Sequence, residues 1–241
     1  MKKILLLLLS FFLVPFAYAD NYPDSYESGY IGIFGGALGT DAGFRSQTTS
    51  AGGNSITPVS ASFPKKNTIS GGIDLGFGAT MGVWYLGVDL STQPIPVNLT
   101  LNRIVPSTGA SITDKTTITD YGNLDLLPGV YLGHSVLIYL RLGGGLGQVS
   151  LKQTNNAVGI TAFNDSNTDG LGRAGVGFDV AITNALSVGA DYVYSQYGSS
   201  TTSGVSPVDG LQTSLTVTKP KQNFVGLHLH YNFGGPNNQS A

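Results

Sequence analysis

The chain has 241 residues, of which 11% are charged, and a formal net charge of −2. A balance so slight, with no basic run, argues against nucleic acid as a partner, and the absence of cysteine excludes a disulfide framework. Low charge beside 34 glycines would suit a disordered chain, but regular apolar alternation argues against disorder.

Residues Met1 to Ala19 read as an export leader. Lys2 and Lys3 give the positive start, Ile4 to Phe16 the apolar core, and Ala17-Tyr18-Ala19 a small-residue cleavage site before Asp20. The apolar run is shorter than the roughly 20 residues of a spanning helix, and Ser10 and Pro15 break it. The expected organisation is a cleaved leader over 1–19, a short segment over 20–28, one β domain over 29–233 and a tail over 234–241.

The first strand is expected from Gly29 to Gly39, with its facing left open by Phe34. A Ser/Thr/Gly-rich loop follows over Thr40 to Thr68. The second strand, Ile69 to Ala79, sets Ile69, Ile73, Leu75 and Phe77 against Ser70, Asp74 and Gly76. A tight turn at Thr80-Met81-Gly82 leads into Val83 to Ser91, where Trp84, Leu86, Val88 and Leu90 oppose Tyr85, Gly87, Asp89 and Ser91. That two-residue rhythm suits a sheet with apolar matter on one face and water on the other.

A second loop spans Thr92 to Lys115, and a fourth strand, Thr117 to Leu132, sets Leu124 and Leu126 against Asn123, Asp125 and Tyr131. Pro128 lies inside it and calls for a bulge at Pro128-Gly129 or a strand boundary there. Gly133-His134-Ser135 turns the chain into a fifth strand, where Ile138, Leu140 and Leu142 oppose Tyr139 and Arg141. After a loop over Ser150 to Asp169, the sixth strand, Leu171 to Ala181, sets Val176 and Phe178 against Arg173 and Asp179. The seventh sets Val188, Tyr192 and Tyr194 against Asp191. A loop over Gln196 to Lys221 then precedes a last strand in which Leu227, Leu229, Tyr231 and Phe233 oppose His228, His230 and Asn232.

Eight strands with alternating short and long connections match an outer-membrane barrel, whose periplasmic turns are short and whose outer loops are long. The expected fold is all-β: an eight-stranded, transmembrane, up-and-down antiparallel β-barrel in the outer membrane of a Gram-negative bacterium. Outward Phe77, Trp84, Phe178, Tyr231 and Phe233 then gather toward the periplasmic rim, and Tyr192 and Tyr194 toward the outer rim, as interfacial girdles.

On these residues the chain resembles the small eight-stranded outer-membrane proteins of the OmpA/OmpX and opacity-protein kind, a porin-like family. The likeness rests on strand-turn layout, on Trp84-Tyr85-Leu86-Gly87-Val88-Asp89-Leu90 and on the last strand, Leu227-His228-Leu229-His230-Tyr231-Asn232-Phe233. It implies a terminal aromatic read by the barrel assembly machinery. Here residues 234–241 extend past Phe233 and leave that signal internal.

The inward set is expected to be Asp74, Asp89, Asp125, Asp179 and Asp191 with Arg141, Arg173, Tyr139, His228 and His230. In a lumen just wide enough for side chains to fill, such charges must pair, so a structural salt-bridge network is expected, with a narrow gated pore as the alternative. His228 and His230 share one strand face, a spacing that also suits a metal with a neighbouring Asp. Lumen filling is the expected reading; no metal or cofactor site is assigned.

Lipid-modifying barrels carry Ser/His chemistry, which needs a serine beside a histidine that an acid orients. His134 is placed at a periplasmic turn and the other two histidines inside, so no enzyme and no catalytic residue is expected. Gly170 to Gly175 has dinucleotide-motif spacing without the α/β setting that gives it meaning. Arg45, Lys65, Lys66, Arg103, Lys152, Lys219 and Lys221 are available to lipopolysaccharide phosphates, and the polar loops to a host or environmental ligand. A surface antigen or adhesin-like role, or a structural envelope role, is the expected function.

Overall fold

The computed structural model describes residues 26–49, 59–104, 109, 111–133, 135–155, 160–183, 185–205 and 212–233. The expected leader, its cleavage site, the 234–241 tail and His134 lie outside these residues.

The strands are β1 (Tyr26–Thr49), β2 (Val59–Ser62), β3 (Lys66–Met81), β4 (Trp84–Thr92), β5 (Val97–Ile104), β6 (Ser111–Leu132), β7 (Val136–Asn155), β8 (Ile160–Ala181), β9 (Leu186–Tyr197), β10 (Ser200–Val205) and β11 (Gln212–Phe233). Eight of them form an antiparallel ring in the order β1-β3-β4-β6-β7-β8-β9-β11. It closes where β11 pairs back onto β1, from Gly29↔Phe233 to Asp41↔Lys221 and, past a register shift, on to Thr49↔Gln212. Closure leaves no free edge in the ring, which is the condition for strands to stand in hydrocarbon.

Every ring strand turns apolar side chains outward. Ile31 and Ile33 do so on β1, Leu75 on β3, Leu86 and Val88 on β4, and Leu124 and Leu126 on β6. Leu140 and Leu142 continue the band on β7, Val176 on β8, Val188 on β9, and Val225 to Leu229 on β11. A soluble protein seldom exposes a contiguous apolar patch beyond a few hundred Å². Here the patch encircles the ring, so its solvent is lipid.

The expected long loops are largely strand. β1 runs ten residues past Gly39, and β2, β5 and β10 fall inside the segments read as loops. β5 carries the β4 hairpin onward beside β6, from Val97↔Ile118 to Ile104↔Ser111. β10 does the same beside β11, from Ser200↔Val217 to Val205↔Gln212. The physical reason is an exchange of polarity between the two faces. Beyond Tyr121 and Leu146 the outer surface meets water and carries Thr117, Thr119, Gln148 and Ser150, while the inside becomes apolar. Leu38, Phe44, Val97, Leu99, Ile118, Val149, Leu151, Leu215 and Val217 form a buried core within the outer end of the barrel. Phe34 joins this core from β1, edge-on to Phe224 at 5.7 Å, so it faces inward.

Two irregularities mark the change of zone. β6 shifts register against β7 between Asp120 and Gly122. β1 and β11 shift between Asp41 and Gly43, opposite Lys219 (φ 42) and Pro220. β6 runs on to Leu132, so neither the bulge nor the strand boundary expected at Pro128-Gly129 is present. The register to β7 is the same before and after it (Leu126↔Leu142, Gly129↔Tyr139), and Leu127 and Pro128 are simply skipped. Pro128 keeps its place opposite Leu86 on β4, so the missing N–H costs one stretch of ladder on one side only.

Candidate functional site in the barrel lumen

Period-two alternation aims every second residue of the membrane zone into the lumen, where glycines on neighbouring strands leave room for long side chains. Asp89 and Asp125 face each other directly across β4 and β6. Two carboxylates opposed in this way repel unless a cation lies between them. Arg141, from β7, supplies it: Nη1 stands 2.6 Å from Asp89 Oδ1 and 3.0 Å from Asp125 Oδ2. Its Nη2 lies 3.6 Å from Asp191 Oδ2 on β9. All three groups of the central contact are buried, Asp89 and Asp125 completely.

Arg173 on β8 stands above this contact, with Nη2 3.6 Å from Asp125 Oδ2 and Nη1 donating to Ser91 Oγ at 3.4 Å. Tyr139 donates its hydroxyl to Asp191 Oδ1 at 2.8 Å. Toward the short-turn end, His228 and His230 of β11 stack at 4.3 Å with ring planes 11° apart. His228 Nδ1 lies 3.1 Å from Asp191 Oδ2, and His230 Nε2 lies 3.1 Å from Asp74 Oδ2. His230 Nδ1 lies 3.0 Å from Asp179 Oδ2. Gly32 and Gly189 flank the pair because a Cβ at either position would fall on an imidazole.

All ten expected lumen residues therefore meet in one connected set. Tyr30, which the sequence reading did not assign to the lumen, belongs with them. It donates to Asp89 Oδ2 at 2.7 Å and stacks on His230 at 4.4 Å. Its signal was present: Tyr30 shares the parity of Gly32, while Ile31 and Ile33 mark the lipid face.

A second polar set lies higher, within the outer apolar core. Asp114 is wholly buried and takes Arg103 Nε at 2.6 Å and Gln153 Nε2 at 2.7 Å. The Arg103 guanidinium also lies 5.4 Å from the centre of the Phe44 ring. Arg103 is therefore committed to the interior and is withdrawn from the cations expected to meet lipopolysaccharide. Tyr197 donates to Asp120 and also reaches Gln222 Oε1 at 3.1 Å. Between the lower network and the apolar core lies a cavity of about 20 Å³ lined by Asp74, Arg141, Arg173, Asp191, Phe34 and Phe224, among others.

The expected girdle residues all point outward. Trp84 (64% exposed), Phe233, Tyr231 and Phe77 lie toward the short-turn end, with Phe178 slightly deeper. Tyr192 and Tyr194 lie toward the outer end, where Tyr192 donates to Asn223 Oδ1 at 2.9 Å. Outward Tyr121 stands at the outer limit of the apolar band, beside the β6 bulge, and was not foreseen.

The family described as outer membrane protein beta-barrel domain matches residues 4–233. No curated protein matches the chain. Among solved structures, the outer membrane protease OmpT from Escherichia coli aligns with 10% identity and a TM-score of 0.52, covering 89% of this chain and 100% of that one. The outer membrane protein OprG from Pseudomonas aeruginosa aligns with 17% identity and a TM-score of 0.48, over 86% and 97% of the two chains. Ail, the attachment invasion locus protein of Yersinia pestis, solved with the heparin analogue sucrose octasulfate, aligns with 14% identity and a TM-score of 0.36, over 86% and 99%. At 10% identity the likeness to OmpT is one of fold alone. The closed ring, the lipid-facing band and the family match over nearly the whole chain lead to one assignment: it belongs to the outer membrane protein β-barrel domain family, as an eight-stranded barrel of the outer membrane.

Proposed function

We propose that this barrel is a non-catalytic envelope protein with a closed lumen, whose tall hydrophilic outer end serves as a recognition surface in the manner of a surface antigen or adhesin. The observation that carries the reading is the outer apolar core, from Leu38 and Phe44 to Leu215 and Val217. It stiffens paired strands well above the lipid zone, and recognition favours segments held on a rigid scaffold. The lumen network acts as a structural plug. A non-catalytic reading is supported by the histidine nitrogens of β11, which turn to Asp74, Asp179 and Asp191 rather than to a hydroxyl nucleophile.

In this reading the outward aromatics anchor the barrel at the two interfaces, and Lys66 and Lys221, exposed beyond the apolar band, meet lipopolysaccharide phosphates. The aromatic end of β11 remains the segment offered to the assembly machinery. In the test, residues 50–58 and 206–211 are replaced by Gly/Ser segments of equal length, with every named residue of the outer core kept. Whole cells carrying this variant are expected to lose binding to host cells or serum factors. Unchanged binding would leave only the structural envelope role.

The small lumen cavity supports a second reading, a narrow gated pore. Planar-bilayer recordings separate the two: a plug gives no stable unitary conductance, whereas a pore gives reproducible steps.

A further inference from the structure

Five lumen aspartates face two arginines, and the arginines are spent on the upper part of the network. Arg141 and Arg173 take Asp89 and Asp125, and Arg141 touches Asp191 only at 3.6 Å. Among the described residues, the ion pairs of Asp74 and Asp179 are with the two histidines. At the short-turn end of the lumen Asp74 and Asp179 thus have no arginine, and their countercharge is either a proton on the imidazoles or a metal ion in its place.

The orientation of the imidazoles is the second observation. Each ring gives one nitrogen to its own carboxylate: His228 Nδ1 to Asp191, and His230 Nε2 to Asp74. The other nitrogen of each ring turns toward the same third group. His230 Nδ1 lies 3.0 Å and His228 Nε2 lies 3.7 Å from Asp179 Oδ2. His228 is almost wholly buried, and among the described residues neither its Nε2 nor Asp179 Oδ1 has a hydrogen-bond partner. Metal-binding histidines show the same division of labour, one nitrogen held by a carboxylate and the other on the ion.

We propose that His228, His230 and Asp179 form a divalent-cation site, with Asp191 and Asp74 as the carboxylates that orient its imidazoles. The three donor atoms lie within 4.8 Å of one another. Tetrahedral bonds of about 2.0–2.1 Å need donors about 3.3 Å apart, and the two stacked rings must splay from their 11° alignment to aim both in-plane lone pairs at one ion. Two imidazoles and a carboxylate suit zinc and its neighbours rather than calcium or magnesium. Asp179 retains 15% exposure, which opens the site and its fourth coordination position to water from the short-turn mouth.

The test uses the full chain folded in detergent, stripped with chelator and titrated with zinc chloride by calorimetry. One zinc per chain is expected, with protons released from between the imidazoles and Asp179. Asp179→Asn and His230→Gln, each checked for folding by its gel-mobility shift on boiling, are expected to lose at least tenfold in affinity. Asp191→Asn is expected to lose about tenfold through the imidazole it orients, and Asp165→Asn at the outer end nothing. In protein labelled with ¹⁵N at its three histidines, zinc is expected to move the resonances of two imidazoles, a readout that needs no variant. Absence of stoichiometric uptake, equal uptake by the folded site variants, or unmoved imidazole resonances would overturn the site.

Discussion

Arg141 Nη1 stands 2.6 Å from Asp89 Oδ1, a contact between β7 and β4 that passes over the intervening β6. One guanidinium thereby holds three strands of the ring at one level, since Asp125 of β6 lies 3.0 Å from the same nitrogen. The repulsion built into the Asp89↔Asp125 pairing makes this cation a requirement of the fold.

Arg141→Met is therefore expected to cost about 3–5 kcal/mol, because it leaves buried Asp89 with only the Tyr30 hydroxyl and Asp125 with only Arg173 at 3.6 Å. Equilibrium unfolding in urea from detergent or lipid measures it. Adding Asp89→Asn and Asp125→Asn to the same chain is expected to recover most of the loss. A cost below about 1 kcal/mol for Arg141→Met would mean that Tyr30 and Arg173 suffice to hold the two carboxylates, and that Arg141 is not required.

Leu99 is buried in the outer core, in the segment Thr92 to Lys115 that reads as a polar loop in the sequence. Leu99→Ala is expected to cost about 2–5 kcal/mol in the same unfolding experiment, as for a core residue. In a mobile loop the change would be within about 0.5 kcal/mol.

The two zones of the outer wall predict opposite responses to a new charge. Leu126→Arg, near the middle of the lipid band, is expected to destabilise the barrel by about 2–4 kcal/mol. Ser150→Arg, also outward but beyond Leu146, is expected to change stability by about 0.5 kcal/mol or less. Equal effects would deny the boundary at the β6 bulge.

Ring, strand directions and lumen list were legible because lipid makes alternation strong: Trp84 to Ser91 can be read without any partner. The outer strands were not, although Val97-Asn98-Leu99-Thr100 and Leu215-Thr216-Val217-Thr218 also alternate. Their polarity is reversed, with threonine and asparagine outward and thinner apolar content inward, so they look like polar loops. Threonine is β-branched and suits strands, a cue outweighed by its polarity. The pairing of Arg103 with Asp114 depends on the register of β5 against β6, which one sequence does not disclose. The convergence of His228 and His230 on Asp179 likewise required β8 and β11 to be placed on either side of β9.

Trp84 is the only tryptophan, and it points outward at the short-turn rim, 64% exposed to whatever surrounds the barrel. Its fluorescence in vesicles whose lipids carry bromine at defined chain depths tests the lipid-facing ring most directly. Strong quenching is expected, greatest for bromine near the headgroups and weaker for bromine at the bilayer centre. Emission that no brominated lipid quenches would contradict a barrel embedded in the membrane.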